Sequence, residues 1–93
     1  MAGGKTDLEI QIAERFGANL AKQRKAAGLH QLQLAERARL GREQINAFEC
    51  GRNLPRFENF VKLVGALGVS PEALMDGISW KPPVTTGGEM DVS

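Results

Sequence analysis

The side chains best suited to specific chemistry in this sequence lie within one short stretch. They are Arg42, Glu43, Gln44, Asn46 and, with a methyl group in place of a polar one, Ala47. Such groups match the edges of bases: arginine pairs with guanine O6 and N7, glutamine with adenine, glutamate with cytosine N4, and an alanine methyl group with that of thymine. The stretch therefore predicts side chains that read base edges, and a merely solvated helix face is the alternative.

Two short helices around a tight turn are predicted to position these side chains. Between residues 31 and 49, apolar residues recur at the three- and four-residue spacings that keep one helical face buried. They are Leu34, Ala35, Ala38, Leu40, Ile45 and Phe48. We expect one helix to begin at Gln31 and the next to run from Arg42 to about Cys50, where Gly51 ends it.

Another helix is predicted before this pair. It begins near residue 8 or 9, after a disordered segment 1–7, and ends at a left-handed cap on Gly28. Its buried stripe is formed by Ile12, Phe16 and Leu20, which recur every four residues.

Two more helices are predicted after the pair. The first runs from residue 56 or 57 to Leu67, with Gly68 as its cap. Its largely buried set is Phe57, Phe60, Val61, Leu63, Val64 and Leu67. Residues 70–72, Ser-Pro-Glu, combine a capping residue, a proline at the first helical position and an acid in the first turn, so a short fifth helix follows to about residue 75.

The segment after Gly77 differs from the rest in composition. Pro82 and Pro83 exclude a helix, and residues 84–92 show the pattern of strand, two-residue turn and strand. A lone hairpin is marginal in water, so a disordered tail and a tail that packs on the domain or on a second subunit are both open.

Size and composition exclude several classes of protein. The 93 residues suit one small domain, 42% apolar and 25% charged, without an apolar run long enough to span a membrane. The N-terminus lacks the apolar core of a signal peptide, which predicts a cytoplasmic protein. One cysteine and one histidine leave no internal disulfide and too few soft ligands for zinc. No nucleophile and base pair or phosphate loop is found, so we expect neither an enzyme nor a cofactor.

Positive charge is concentrated around the predicted helix pair. Residues 22–56 carry eight basic and three acidic side chains, a net +5, whereas the whole chain is only +1. The remainder is therefore acidic. A local excess of this kind is what a phosphate-facing surface requires.

The order of motifs resembles the Xre family of helix-turn-helix regulators, whose relatives include the phage Cro and repressor proteins. The resemblance covers about residues 16–77 and rests on Arg24, Gly28-Leu29-His30-Gln31, Leu34-Ala35, Ile45, Phe48-Glu49, Gly51-Arg52, Pro55 and Ala66-Leu67-Gly68-Val69-Ser70-Pro71. It implies an all-α, five-helix, lambda-repressor-like helix-turn-helix domain over residues 8–77, with a non-helical tail over 78–93.

The resemblance also assigns roles outside the second helix of the motif. Gln31 matches a position that contacts a backbone phosphate, and Arg52 and Arg56 match positions near the backbone, the latter entering the minor groove in some phage repressors. Arg24 and Glu49 match a structural pair that fixes the recognition helix.

Three positions depart from the family pattern. Many relatives have glycine where this chain has Arg39, so either Arg39 takes a positive φ, at a cost on the order of 1 kcal/mol, or the turn differs. His30 stands where relatives have a serine or threonine N-cap. Cys50 replaces a basic or amide residue near phosphate, so one backbone contact is expected to be missing.

The leading hypothesis is a sequence-specific regulator that binds double-stranded DNA. The third helix would enter the major groove, and a homodimer would bind a pseudo-palindromic operator, because one small domain makes too few contacts for strong discrimination. The alternative is an antitoxin or adaptor whose tail, residues 78–93, engages a protein partner. Leu32 and Trp80 motivate it, since exposed apolar residues mark interfaces.

Overall fold

Helix α1 (Asp7–Ala26) begins at a reciprocal cap. The Thr6 hydroxyl accepts a hydrogen bond from the Glu9 N–H at 3.1 Å, and the Glu9 carboxylate accepts one from the Thr6 N–H at 2.8 Å. The sequence predicted this helix start one or two residues later, after a disordered segment 1–7. The start is earlier because the spacing of threonine and glutamate forms a capping box.

The computed structural model describes residues 6–84 of the chain, and these form a bundle of helices. After α1 come α2 (Gln31–Ala38), α3 (Arg42–Glu49), α4 (Phe57–Leu67) and α5 (Pro71–Met75). Residues 6–84 contain no strand, which confirms the all-α, five-helix class. The predicted strand pair over 84–92 lies, apart from Val84, outside the described residues. Over the same residues no helix has the length and apolar character to cross a membrane.

The turn between α2 and α3 depends on a left-handed residue that is not glycine. Arg39 has φ 58° and ψ 44°, so of the two alternatives the sequence left open, the strained one is correct. This conformation lets the Leu40 N–H donate to the Ala35 carbonyl at 2.9 Å, which closes the end of α2. The predicted helix-ending glycines Gly28, Gly51 and Gly68 also have positive φ.

The core joins all five helices around the buried apolar face of the α2–α3 pair. Helix α3 packs on α1 and α2, α4 packs on α2, and α5 packs on α1. The buried cluster consists of Phe16, Leu20, Leu29, Leu34, Ala35, Ala38, Ile45, Phe48, Leu63, Leu67 and Leu74. The predicted packing of both helices of the motif is thus confirmed for all its apolar residues except Leu40, which is half-buried.

Helix α4 buries less of its surface than its sequence suggested. Phe57 is 79% exposed and Val61 is 52% exposed, so the prediction that both are buried was wrong. Leu63 and Leu67 form the face that enters the core. Residues two positions apart on a helix point about 200° away from each other. Val61 therefore points away when Leu63 points inward, and Phe57 shares the face of Val61 one turn earlier.

A buried amide attaches the last helix to the first. Asn19, only 6% exposed, donates from Nδ2 to the carbonyl oxygens of Leu74 and Asp76, both at 2.9 Å. These bonds satisfy carbonyls at the end of α5, a helix too short to be stable alone. Asn19 was not predicted as a structural residue, although it is a polar residue beside the apolar stripe of α1.

Candidate nucleic-acid interface

The close packing of α1 against α3 fixes the position of the predicted reading helix. Gly17 of α1 lies against the end of α3: a Cβ atom there would be 2.7 Å from the Glu49 carbonyl oxygen and closer still to that of Phe48. Real Cβ atoms essentially never approach other atoms so closely. Gly17 therefore sets the distance between these helices, a role that the sequence analysis did not assign.

The first turn of α3 presents the predicted base-reading residues. Arg42, Glu43 and Gln44 are all exposed there. The Gln44 Oε1 atom accepts a hydrogen bond from the Gly41 N–H at 2.8 Å, so part of its carboxamide caps the helix. Arg42 and Glu43 extend from the positive end of the helix dipole, which favours phosphate nearby.

The two residues of the next turn differ in accessibility. Asn46 is half-buried and shares a face with Arg42, four residues before it. Ala47 is 8% exposed and faces the interior, which corrects its assignment as a contact for a thymine methyl group. The apolar side of α3 is broader than the spacing of Ile45 and Phe48 alone indicated, and it includes Ala47.

The predicted structural pair holds α3 at its other end. Arg24 Nε donates to Glu49 Oε2 at 2.6 Å and Arg24 Nη2 to Glu49 Oε1 at 2.9 Å, a two-pronged contact. Arg24 Nη1 also donates to the Leu29 carbonyl at 2.8 Å. The hydrogen bond to Glu49 raises the pKa of Arg24 above its ordinary value, against the opposing effect of burial. The structure brings these two residues together, and Arg24 thereby connects α1, the loop before α2, and α3.

Gln31 belongs to this polar group rather than to the open surface. Its Nε2 atom donates to Glu49 Oε1 at 3.1 Å and to Asn46 Oδ1 at 3.2 Å. Both side-chain N–H groups are thereby used, which corrects the expectation that this side chain is available to a phosphate. The backbone N–H of Gln31, at the first position of α2, has no acceptor within the helix and is the donor that remains for a phosphate.

The caps of the motif differ from the family pattern in the predicted places. The His30 side chain makes no capping hydrogen bond, and the His30 N–H instead donates to Gln33 Oε1 at 2.8 Å. The exposed Cys50 has its Sγ atom 3.8 Å from Asn46 Oδ1. A thiol is a weak donor, so Cys50 offers less to a phosphate than a basic residue does.

The remaining predicted contacts follow α3 in the sequence. Arg52 and Arg56 are exposed, and Arg56 is the N-cap residue of α4. Arg56 and Gln44 both line a cavity of about 410 Å³ formed by α1, α3 and the loop before α4. The structure thus brings together the start of α3 and the start of α4, two regions that are twelve residues apart in sequence.

The fold and this surface define a class. Two short helices joined by a tight turn, the second with a polar exposed first turn, form a helix-turn-helix. The sequence profile of the helix-turn-helix domain family matches residues 17–79 of the chain. The chain therefore belongs to this family of DNA-binding transcriptional regulators, which confirms the class that its motif order indicated. No curated protein sequence matches it significantly.

Solved structures of regulators resemble the chain closely. The restriction-modification controller protein C.AhdI from Aeromonas hydrophila is 34% identical, with 67% of this chain and 94% of that one covered and a TM-score of 0.65. The clp gene regulator ClgR from Corynebacterium glutamicum is 28% identical, with 69% and 68% covered and a TM-score of 0.66.

One further structure shares the fold. An HTH_3 family transcriptional regulator from Vibrio cholerae is 19% identical and has a TM-score of 0.69. The match covers 72% of this chain but only 38% of that regulator.

Proposed function

We propose that this protein is a sequence-specific transcriptional regulator that inserts α3 into the major groove of DNA. The observation that carries the proposal is the exposed first turn of α3 on a helix fixed at its other end by Arg24 and Glu49. Discrimination between bases requires side chains that present their hydrogen-bonding groups in a fixed direction. The rigid attachment of α3 supplies this condition.

Each exposed residue has a role in this proposal. Arg42 pairs with guanine, Glu43 accepts from cytosine N4 or orients Arg42, and Gln44 donates from Nε2 while its oxygen caps the helix. Arg52 and Arg56 contact the phosphate backbone, where an arginine that enters a narrow minor groove favours A·T pairs. The net +5 of residues 22–56 supports this surface as the phosphate-facing one.

We further propose a homodimer formed through one apolar face. We call it the α4 face, and define it as Leu54, Phe57, Val61 and Met75, all of which are exposed. It borders an apolar groove of about 440 Å³. Leu54 and Pro55 line both this groove and the cavity that contains Gln44, so the face adjoins the DNA surface. A second copy with two-fold symmetry would cover the apolar residues and present two α3 helices.

Selection from randomised duplexes at moderate salt tests the proposed function. We expect an enriched, pseudo-palindromic sequence. Arg42→Ala should cost about 1–3 kcal/mol at one base position, whereas Arg52→Ala should weaken binding to all sequences alike and reduce the salt slope by about one. Failure to enrich any sequence, when circular dichroism shows that the protein is folded, would contradict the proposal.

A protein-binding role through the tail is the second candidate. Trp80 is 60% exposed and Leu32 is 52% exposed, which leaves apolar surface outside the α4 face. Ile78 packs against the core, so a deletion that spares the fold should begin after it. Deletion of residues 80–93 should remove a co-purifying protein and preserve DNA binding if the tail recruits a partner. Unchanged association with every protein would exclude this role.

A further inference from the structure

A chain of hydrogen bonds connects α1 to the outer surface of α3 through Arg24, Glu49, Gln31 and Asn46. We call it the relay, and the donor and the acceptor of each of its bonds are fixed. The Arg24 guanidinium is only a donor and the Glu49 carboxylate is only an acceptor. Gln31 must therefore turn its amide nitrogen toward Glu49, since its carbonyl oxygen would face a carboxylate oxygen about 3.1 Å away. The charge on Glu49 thus decides which end of the Gln31 carboxamide faces α3.

The same nitrogen then decides the orientation of Asn46. Its second N–H is directed at Asn46, 3.2 Å away, where only the Oδ1 atom is able to accept. The Cys50 thiol approaches the same oxygen at 3.8 Å. Both lone pairs of Oδ1 therefore have a donor nearby.

The other end of the Asn46 carboxamide is left at the surface. Its Nδ2 atom makes none of the hydrogen bonds that position the side chain. No buried side-chain nitrogen or oxygen of residues 6–84 lacks a hydrogen-bond partner, so Nδ2 must be accessible to solvent. Asn46 shares its face of α3 with Arg42, and a ligand on that face therefore meets an N–H group and not a carbonyl.

We propose that this relay makes Asn46 a donor-only reader of base edges, with Gln31 as the residue that positions it. An unrestrained asparagine donates to N7 and accepts from N6 of adenine. With its oxygen held by Gln31, Asn46 instead fits guanine, whose major-groove edge presents the two acceptors O6 and N7. This inference rests on the proposed function, because it presumes that α3 lies in the major groove.

Duplex selection with matched glutamine variants tests the preference. Asn46→Ala identifies the base position that Asn46 reads, since preference should be lost only there. In the wild-type protein we expect guanine over adenine at that position by at least about fivefold. Gln31→Ala should reduce this ratio to within about twofold, because the freed carboxamide again suits adenine. Gln33→Ala is the control, since Gln33 is exposed on the same helix and only caps it.

Three results would overturn the inference. They are adenine as the preferred base at the Asn46 position, an unchanged ratio in a folded Gln31→Ala protein, and an Asn46→Ala variant that loses no base preference.

A measurement without DNA separates this inference from the proposed function. Side-chain amide exchange in the free wild-type protein, followed by NMR, should show slowed exchange for the Gln31 amide protons relative to those of Gln33. The Asn46 amide protons should exchange at the rate of an exposed group. Slow exchange at Asn46 with fast exchange at Gln31 would show the opposite orientation. If no duplex is enriched, the proposed function fails, and the exchange pattern still decides the orientation of the Gln31 and Asn46 carboxamides.

Discussion

At the scale of single residues, the loss of either Arg24 or Glu49 destabilises the protein more than the intact pair stabilises it. Arg24 and Glu49 are 12% and 7% exposed as side chains, so each has lost most of its hydration. A desolvated pair gains little over apolar residues, but removal of one partner leaves an uncompensated group. Because its folded-state pKa is raised, Arg24 stabilises the fold fully below its ordinary pKa and loses this contribution only at higher pH. Titration of Arg24 therefore leaves stability constant around neutral pH.

Neutralising Glu49 should unfold the protein more readily. Glu49→Gln keeps the shape but leaves Arg24 without a counter-ion, and the free energy of unfolding in urea should fall by about 3 kcal/mol. Glu43→Gln is the control, since Glu43 is exposed on the same helix and its replacement should change stability by no more than about 0.5 kcal/mol. Equal effects of the two changes would contradict the role assigned to the pair.

Arg39 stores backbone strain in the turn of the motif. Its left-handed conformation costs about 1–2 kcal/mol. Glycine would remove this strain, but it would also increase the conformational entropy of the unfolded chain, which offsets part of the gain. Arg39→Gly should therefore raise the free energy of unfolding by about 0.5–1 kcal/mol. Arg37→Gly, in the helical last turn of α2, should lower it by about 1 kcal/mol. Chemical denaturation measures the free energy of unfolding of both variants. If both changes raise it or both lower it, the strain assigned to Arg39 is refuted.

At the scale of helices, the placement of α3 depends on contacts that its own sequence does not contain. Gly17 allows the backbones of α1 and α3 to approach, and Gln31 connects α2 to α3 through a side chain. Helix α3 has eight residues and would not be stable alone in water. Its conformation is therefore a property of the bundle.

Alanine should have opposite effects at two helical glycines. Gly17→Ala forces α3 away from α1 and should cost about 2 kcal/mol of stability despite the better helix propensity of alanine. Gly65→Ala on α4, where a Cβ atom meets nothing within 4 Å, should gain about 0.5–1 kcal/mol. Thermal melts measure both effects. A stabilised Gly17→Ala protein would show that the helices have room to spare.

At the scale of the whole molecule, the α4 face is the apolar surface that this small domain leaves uncovered next to its basic surface. Phe57 is its most exposed member and stacks on Phe60, with ring centroids 6.2 Å apart. Exposed apolar patches mark contact surfaces.

Removing Phe57 should weaken self-association without unfolding the chain. In a two-fold dimer the residue is lost from both copies, so Phe57→Ser should raise the dissociation constant at least about thirtyfold. Sedimentation at several concentrations measures this change, and operator binding should become correspondingly weaker. Leu32→Ser is the control, because Leu32 is exposed on α2 outside the α4 face. A wild-type protein that remains monomeric on its operator would refute the dimer.

The local features of the motif follow from the sequence alone. Apolar spacing predicts both short helices, because helix periodicity is set within a few residues. Glycine positions predict the helix ends, whereas the missing glycine at Arg39 left a positive φ and a different turn as alternatives. The polar residues at the start of α3 are exposed as their spacing predicts. The spacing of Thr6 and Glu9 also indicates the cap of α1, although the cap was not predicted.

Only the tertiary structure decided which surfaces meet. Phe57 is exposed where burial was predicted, and Ala47 is buried where exposure was predicted. The reason is that the direction of a helix face depends on the neighbouring helix, which periodicity does not specify. Gln31 donates to Glu49, which lies on another helix and 18 residues away in sequence, so a local sequence pattern does not predict this contact. The sequence thus determined the helix-turn-helix and its outward polar residues. Long-range packing decided how each of these side chains is oriented, because orientation depends on hydrogen bonds between helices.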